Sequence, residues 1–147
     1  MMIQIIIGCT LIALTSVIHA IGMSVGFRLI IVINHLTLLA KASILARSFT
    51  IAILILVMFM TTLIEAGVWA LLFTKIGALP DITKAFYFSI VTYTTLGYGD
   101  VVLDESWRFL SSLEAANGII MFGWTTAIVV VAIQQISRSL RDFASSV

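Results

Sequence analysis

Residues 82–100 read ITKAFYFSIVTYTTLGYGD and lie between two long apolar runs. As a helix, residues 82–94 would be about 20 Å long, too short to cross the ~30 Å hydrocarbon core of a bilayer. Asp81 follows the single proline of the chain and can cap this helix by accepting from its first free amides. The remaining residues include Gly97 and Gly99, so the sequence predicts a short helix followed by an irregular, re-entrant loop.

Three runs around this stretch are long enough to cross a membrane as helices. Residues 3–27 contain no Lys, Arg, Asp or Glu, residues 48–74 contain only Glu65, and residues 109–137 contain only Glu114. Each run exceeds the roughly 18–20 residues that a span requires. The sequence therefore predicts an all-α membrane protein with three transmembrane helices.

The composition supports this fold class and excludes several functions. Hydrophobic residues make up 61% of the chain and charged residues 10%, against about 45–50% and 25% in soluble domains. A net charge of +1 provides no basic surface for nucleic acid. The single cysteine, Cys9, cannot form an internal disulfide, and with two histidines it falls short of a structural zinc set. We therefore expect no cofactor and no nucleic-acid partner.

Residues 29–40 and the basic residues predict how the spans are connected and oriented. This uncharged segment has 12 residues, a length that suits an interfacial helix better than a span. Lys and Arg near span ends are retained on the cytoplasmic side. If the N-terminus is extracellular and the C-terminus cytoplasmic, five basic residues lie on the cytoplasmic side: Arg28, Lys41, Arg47, Arg138 and Arg141. This is therefore the predicted orientation.

The loop after the short helix requires a special environment. Irregular backbone at membrane depth is tolerated only where protein buries it or where it lines a water-filled path. Residues 94–100, TTLGYGD, resemble the signature sequence of potassium channels, and their position between two spans matches the pore domain of that family. The resemblance covers residues 48 to about 139. It implies a first unit at 1–47, a pore domain at 48–139 and a short cytoplasmic tail at 140–147, without a cytoplasmic regulatory domain.

The resemblance also implies which atoms bind the ion. Four copies of the loop would line one axis, with carbonyl oxygens replacing the water shell of K⁺. Successive carbonyls can face one axis only if alternate residues adopt backbone angles that favour glycine, which Gly97 and Gly99 allow. By the resemblance, each chain of a homotetramer contributes four carbonyls to the K⁺ sites, those of Thr95, Leu96, Gly97 and Tyr98. The Thr95 hydroxyl lies below them and completes the sites, and Gly99 completes the filter.

Several residues are expected to support this filter. Tyr87 stands where many family members carry an indole donor, so its hydroxyl is expected to donate to Asp100; the alternative is a tyrosine that is merely packed. Thr94 precedes the ion sites. An acid in a span usually faces the protein interior with a partner, so Glu65 is expected to accept from Thr92 or Tyr93, or else to be neutral and structural.

The inner helix and the histidines leave alternatives open. Gly118 and Gly123 lie in the third span, where a glycine serves either as a gating hinge or as a site of close helix packing. His19 and His35 are each isolated in the sequence, so a satisfied buried or interfacial histidine is expected rather than a proton sensor.

The predicted function is a potassium-selective channel that conducts K⁺ passively and whose partners are its own copies and membrane lipids. Leu96 replaces the family's usual Val, so a weakly selective cation channel is an alternative. A non-conducting regulatory subunit is another. An intramembrane hydrolase built on Glu65, Glu114 and the histidines lacks a nucleophile paired with a base in the sequence.

Overall fold

The computed structural model describes residues 2–37 and 44–145, with side chains described for 2–33 and 48–134. Within these ranges the regular structure is helical: α1 Met2–Thr37, α2 Ile44–Lys75, α3 Ile82–Tyr93 and α4 Arg108–Ser145. Three stretches are long and apolar enough to cross a membrane, namely Met2–Ile33, Ser48–Lys75 and Arg108–Gln134. The predicted all-α fold with three helices long enough to span a membrane is confirmed for the described residues.

The segment between the first two spans differs from the prediction. Helix α1 continues without interruption through Thr37, so no separate interfacial helix forms at 29–37. Residues 28–37 contain neither Gly nor Pro, and Arg28 is a good helix former that extends the helix beyond the apolar run. The rest of the predicted linker up to residue 43 lies outside the described residues.

Helix α4 extends beyond the predicted third span. Helix α4 continues to Ser145, so the segment predicted as a short tail at 140–147 is helical up to that residue. The apolar run ends near residue 137, yet the polar residues beyond it contain no Gly or Pro to stop the helix. Hydropathy therefore located the span but not the end of the helix.

Helix α1 packs along both of the other long helices. It runs parallel to α4, because Gln4 donates to the Ser106 carbonyl just before α4, while Asn117 farther along α4 donates to Thr15 at 2.8 Å. It runs antiparallel to α2, because Gly22 approaches Thr61 and Gly26 approaches the earlier residue Leu54. The N-terminal end of α1 therefore lies at the same end of the bundle as the loop before α4.

The short helix α3 packs between α2 and α4. Phe88 of α3 meets Phe73 of α2 edge to face, with ring centroids 5.4 Å apart, and Trp69 lies 6.0 Å from Phe73. These rings belong to the main apolar core, which also contains Leu103 from the segment before α4. Because α3 is held on two sides, the loop that follows it starts from a fixed position.

Candidate functional site

The start of α3 is fixed by the predicted cap. The Asp81 carboxylate accepts from the amides of Thr83 and Lys84, both at 3.2 Å, and its backbone is extended. Free amides at a helix start need an acceptor, and an acid there also interacts favourably with the helix dipole. The cap is confirmed, and the predicted helix boundaries differ from the structure by one residue.

The end of α3 turns residues 94–100, which we call the signature loop, back along the helix. The amide of Thr95 donates to the Thr92 carbonyl at 2.9 Å, and the amides of Leu96 and Gly97 both donate to Val91, at 3.0 and 3.1 Å. In a trans peptide the preceding carbonyl points opposite to the amide. The three carbonyls that precede these amides, those of residues 94–96, therefore point away from α3.

The backbone of the signature loop alternates in handedness. Thr95, Gly97 and Gly99 have φ values of 60°, 58° and 77°. Leu96 and Tyr98 between them are not in the positive-φ region. Such alternation turns successive carbonyls to one side, and it favours glycine because a Cβ is strained there. The structure thus has the geometry expected at Gly97 and Gly99, with Thr95 adopting it as well.

The signature loop is exposed in the single chain, at every residue from 94 to 100. Leu96 and Tyr98 are 55% and 67% exposed, although both have large hydrophobic side chains. The Thr94 hydroxyl donates to the Ile90 carbonyl at 2.7 Å and thereby ties the first residue of the loop to the last turn of α3.

The C-terminal end of the signature loop is tied to α3 by one tyrosine. The Tyr87 hydroxyl donates to Asp100 Oδ2 at 2.8 Å, which is the contact expected from the sequence. Asp100 Oδ1 accepts from the Val101 amide at 3.1 Å, so both carboxylate oxygens are used. The hydrogen bond to Asp100 raises the pKa of Tyr87 above its ordinary value, with partial burial and the negative charge of Asp100 adding to this.

A second tyrosine of α3 reaches the acid of α2. The Tyr93 hydroxyl donates to Glu65 Oε2 at 2.9 Å, and both side chains are fully buried. Of the two partners expected for Glu65, the structure therefore selects Tyr93 rather than Thr92. Glu65 thus connects α2 to the last residue of α3, two positions before Thr95.

The other oxygen of Glu65 contacts the first helix, which was not predicted. His19 Nδ1 lies 2.9 Å from Glu65 Oε1, and His19 Nε2 lies 3.2 Å from the Thr125 hydroxyl of α4. The ring is fully buried, with Trp124 at a centroid distance of 5.2 Å. His19 is thus a satisfied buried histidine, as expected, but it joins three helices. The side chain of His35 lies outside the described residues.

A sequence signal for this contact exists on α1. Its buried positions are Gly8, Thr15, His19 and Gly26, separated by seven, four and seven residues. This spacing places them on one face of a helix. A face of small and polar residues in an otherwise apolar span is typical of close helix packing in membranes.

The two glycines of the third span have different surroundings. A Cβ on Gly118 would overlap the carbonyl oxygen of Tyr93 and lie 2.8 Å from its carbonyl carbon. A Cβ on Gly123 would meet no atom within 4 Å in the single chain. Gly118 therefore permits close packing of α4 against the end of α3, and the hinge role expected of Gly118 or Gly123 stays a prediction.

Comparisons with known proteins agree with this geometry. A protein-family model described as "Ion channel" matches residues 48–135, more than half of the chain. No curated protein and no solved structure matches the chain significantly. The match includes α3, the signature loop and most of the two helices that flank them, whereas α1 lies outside it.

Proposed function

Because the chain belongs to the ion channel family, of the pore-domain type, we propose that it is a potassium-selective channel formed by four copies. Residues 48–139 form the pore domain in this proposal. Its α3 is the re-entrant pore helix and its signature loop is the selectivity filter. K⁺ passes down its gradient, and it is the transported ion rather than a cofactor.

The alternating backbone of the signature loop carries this proposal. Positive φ occurs at every second residue from Thr95 to Gly99, and amides 95–97 are bonded to α3, so the carbonyls of residues 94–96 point away from α3. A row of carbonyl dipoles can replace the water shell of a monovalent cation. The K⁺ sites are the carbonyls of Thr95, Leu96, Gly97 and Tyr98, with the Thr95 hydroxyl at the inner end.

Four copies are required because one loop supplies only part of an ion's coordination shell, and closed symmetry supplies the rest. The exposed faces of the single chain are consistent with such an assembly. Leu96 and Tyr98 are exposed on the loop, and α4 exposes large apolar side chains, including Ile119, Ile120 and Phe122. Large exposed apolar surfaces mark protein or membrane contacts. Other copies and lipids are therefore the proposed partners.

The proposed orientation places the N-terminus and the filter's outer end on the extracellular side. Gln4 at the start of α1 and Ser106 before α4 are in contact, so these two regions lie on the same side of the bundle. The positive-inside rule then assigns that side to the exterior. A membrane-impermeant reagent should reach a tag placed before Met1 on intact cells.

The buried polar residues contain an arrangement that resembles a hydrolase triad. Glu65, His19 and Thr125 stand in the order acid, histidine and hydroxyl, a pairing that the sequence alone did not provide. The histidine and the acid are fully buried inside the bundle. Thr125 lies within α4, whose backbone amides are engaged in the helix and cannot serve as an oxyanion hole. We therefore assign this chain of hydrogen bonds to structure rather than to catalysis.

Reversal potentials in mixed K⁺ and Na⁺, recorded on purified protein in planar bilayers, test the proposal. We expect currents that reverse near the K⁺ equilibrium potential. Equal permeability to both ions would instead indicate the weakly selective channel allowed by Leu96. Absence of current from correctly folded protein would indicate a non-conducting subunit.

Gly99→Ala provides the matched mutation, because a Cβ at positive φ costs on the order of 1–3 kcal/mol in each copy. Gly123→Ala, at an open helical position, is the control. We expect Gly99→Ala to lose selectivity and Gly123→Ala to keep it. A normal K⁺ preference in Gly99→Ala would refute the assignment of the filter.

A further inference from the structure

Glu65 is an acid buried between helices inside a membrane span. Its two oxygens have separate partners: Oε1 contacts His19 Nδ1 and Oε2 accepts from the Tyr93 hydroxyl, both at 2.9 Å. An acid at this depth is costly unless its oxygens are paired. Loss of either partner therefore forces the carboxyl group or its neighbours to rearrange.

We propose that His19 of α1 is a positioning residue for the selectivity filter, because it orients the Glu65 carboxyl group that holds the Tyr93 end of the pore helix. This inference rests on the proposed function and extends it to a helix outside the family match, which begins at residue 48. The first span is then a part of the conduction machinery rather than an accessory anchor.

The route from His19 to the filter consists of direct contacts. Helix α1 packs on α2 and α4, and α3 packs on the same two helices. His19 reaches α3 through one residue, Glu65. With Nδ1 protonated, the ring donates to the carboxylate, and Nε2 can accept from the Thr125 hydroxyl. His19 of α1, which is itself held by Thr125 of α4, thus orients the Glu65 carboxyl group that accepts from Tyr93.

Displacement of Tyr93 would be transmitted to the ion sites. Tyr93 is the last residue of α3, and its carbonyl packs directly against Gly118. The amides of residues 95–97 are bonded to the carbonyls of Val91 and Thr92 in the same turn. The final turn of α3 and the inner half of the filter therefore move together. A small shift here changes the spacing of the carbonyls on which selectivity depends.

The experiment compares His19→Leu with His19→Asn in the full-length tetramer. Leu removes both ring nitrogens, whereas the Asn amide places a donor near the position of Nδ1 and can still reach Glu65. We expect the K⁺ over Na⁺ permeability ratio to fall in His19→Leu, by up to about tenfold if the full free energy of one buried hydrogen bond is transmitted to the filter. His19→Asn should restore most of it.

Thr15→Val is the matched control. Thr15 lies on the same face of α1 and accepts a buried hydrogen bond from Asn117 of α4 at 2.8 Å. The Val substitution breaks this α1–α4 contact without touching Glu65. It should leave the permeability ratio unchanged even if it lowers the thermal stability of the tetramer. An equal loss of selectivity in Thr15→Val and His19→Leu would overturn the inference, because any loosening of α1 would then suffice.

A second variant tests whether His19 and Tyr93 act in one chain. If they do, adding Tyr93→Phe to His19→Leu should lower the K⁺ over Na⁺ permeability ratio little further. The effects of substitutions within one hydrogen-bond network are not additive. Additive losses, or a normal ratio in His19→Leu at equal surface expression, would contradict the proposal.

Backbone amide NMR resonances of ¹⁵N-glycine-labelled protein provide a readout that does not depend on K⁺ selectivity. The signals of Gly97 and Gly99 should shift in His19→Leu and remain in place in Thr15→Val. If the wild-type channel fails to prefer K⁺, the proposed function fails, and these resonances alone decide the role of His19. Unshifted signals in folded His19→Leu would overturn it.

Discussion

Two tyrosines of α3 make the same hydrogen bond in opposite surroundings. Tyr87 donates to Asp100 at 2.8 Å, and Tyr93 donates to Glu65 at 2.9 Å. The side chain of Tyr87 is 41% exposed, whereas Tyr93 and Glu65 are fully buried. Nearly equal distances therefore do not imply equal contributions, because water competes for the outer bond and is excluded from the inner one.

The difference suggests a different role for each end of the proposed filter. At the outer end, a broken bond leaves two groups that water can solvate, so the loop can relax at low cost. At the inner end, a broken bond leaves a carboxyl oxygen of Glu65 without a hydrogen-bond partner inside a span. This costs free energy because no water can replace the lost donor. We infer that the inner support determines whether the filter forms and that the outer support determines how long it stays conductive.

The largest effect is expected for Gly118→Ala, which acts on the inner end. The new Cβ would overlap the Tyr93 carbonyl oxygen, which is backbone and cannot rotate away. The cost should exceed the about 1–3 kcal/mol typical of overpacking a core, in each of four copies. We expect no folded tetramer by size-exclusion chromatography, whereas Gly123→Ala should assemble normally. Assembly of both variants would show that α3 and α4 can separate freely.

Tyr93→Phe should have the next largest effect, because it removes only the donor to Glu65. An unsatisfied buried acceptor costs about 1–3 kcal/mol, so the thermal midpoint of the tetramer should fall by several degrees. The K⁺ over Na⁺ permeability ratio should fall as well. Thr62→Val, which removes a buried hydroxyl of α2 that donates only to its own helix, is the control. An equal loss in both variants would contradict a special role for Tyr93.

The sequence predicted the outer contact but only part of the inner one. Tyr87 and Asp100 are 13 residues apart, and the signature resemblance relates both to one local unit. Glu65 was expected to meet α3 because an acid in a span requires a partner, and helix phase alone did not distinguish Thr92 from Tyr93. The sequence thus defined the need for a partner at Glu65 without fixing the choice.

The spacing on α1 places His19 on the packed face of that helix, but it does not identify His19 as the second partner of Glu65, for a physical reason. The two residues are 46 positions apart, and no rule of local spacing relates one membrane helix to another. The rotation of α1 was encoded by Gly8, Gly22 and Gly26, whose missing side chains allow close approach to neighbouring helices. The sequence therefore indicates which face of α1 is buried, but not which residue of α2 that face contacts.

Tyr87→Phe should have a smaller effect than any change at the inner end. The substitution removes the oxygen that holds Asp100, whereas Tyr87→Ala also removes the ring and leaves a gap behind the filter. The order of steady-state current at equal surface expression should be wild type, Phe, Ala, with initial currents similar in wild type and Phe. Identical steady-state currents in those two would show that Tyr87 is simply packed and that another group holds Asp100.

The smallest effect is expected from alkaline pH at the outer end. The hydrogen bond to Asp100, followed by burial and the charge of Asp100, raises the pKa of Tyr87 above its ordinary value of 10.0. A raised pKa in the folded state means that the contribution of Tyr87 is fully present below about pH 10 and is lost as pH rises through the folded value.

The ionised phenolate cannot donate, and its charge repels Asp100. The difference in steady-state current between wild type and Tyr87→Phe should therefore stay constant from pH 7 to about 9, and only at higher pH should it disappear and then reverse. A difference that disappeared below about pH 9 would instead indicate that a group other than the Tyr87 hydroxyl controls the outer end of the filter.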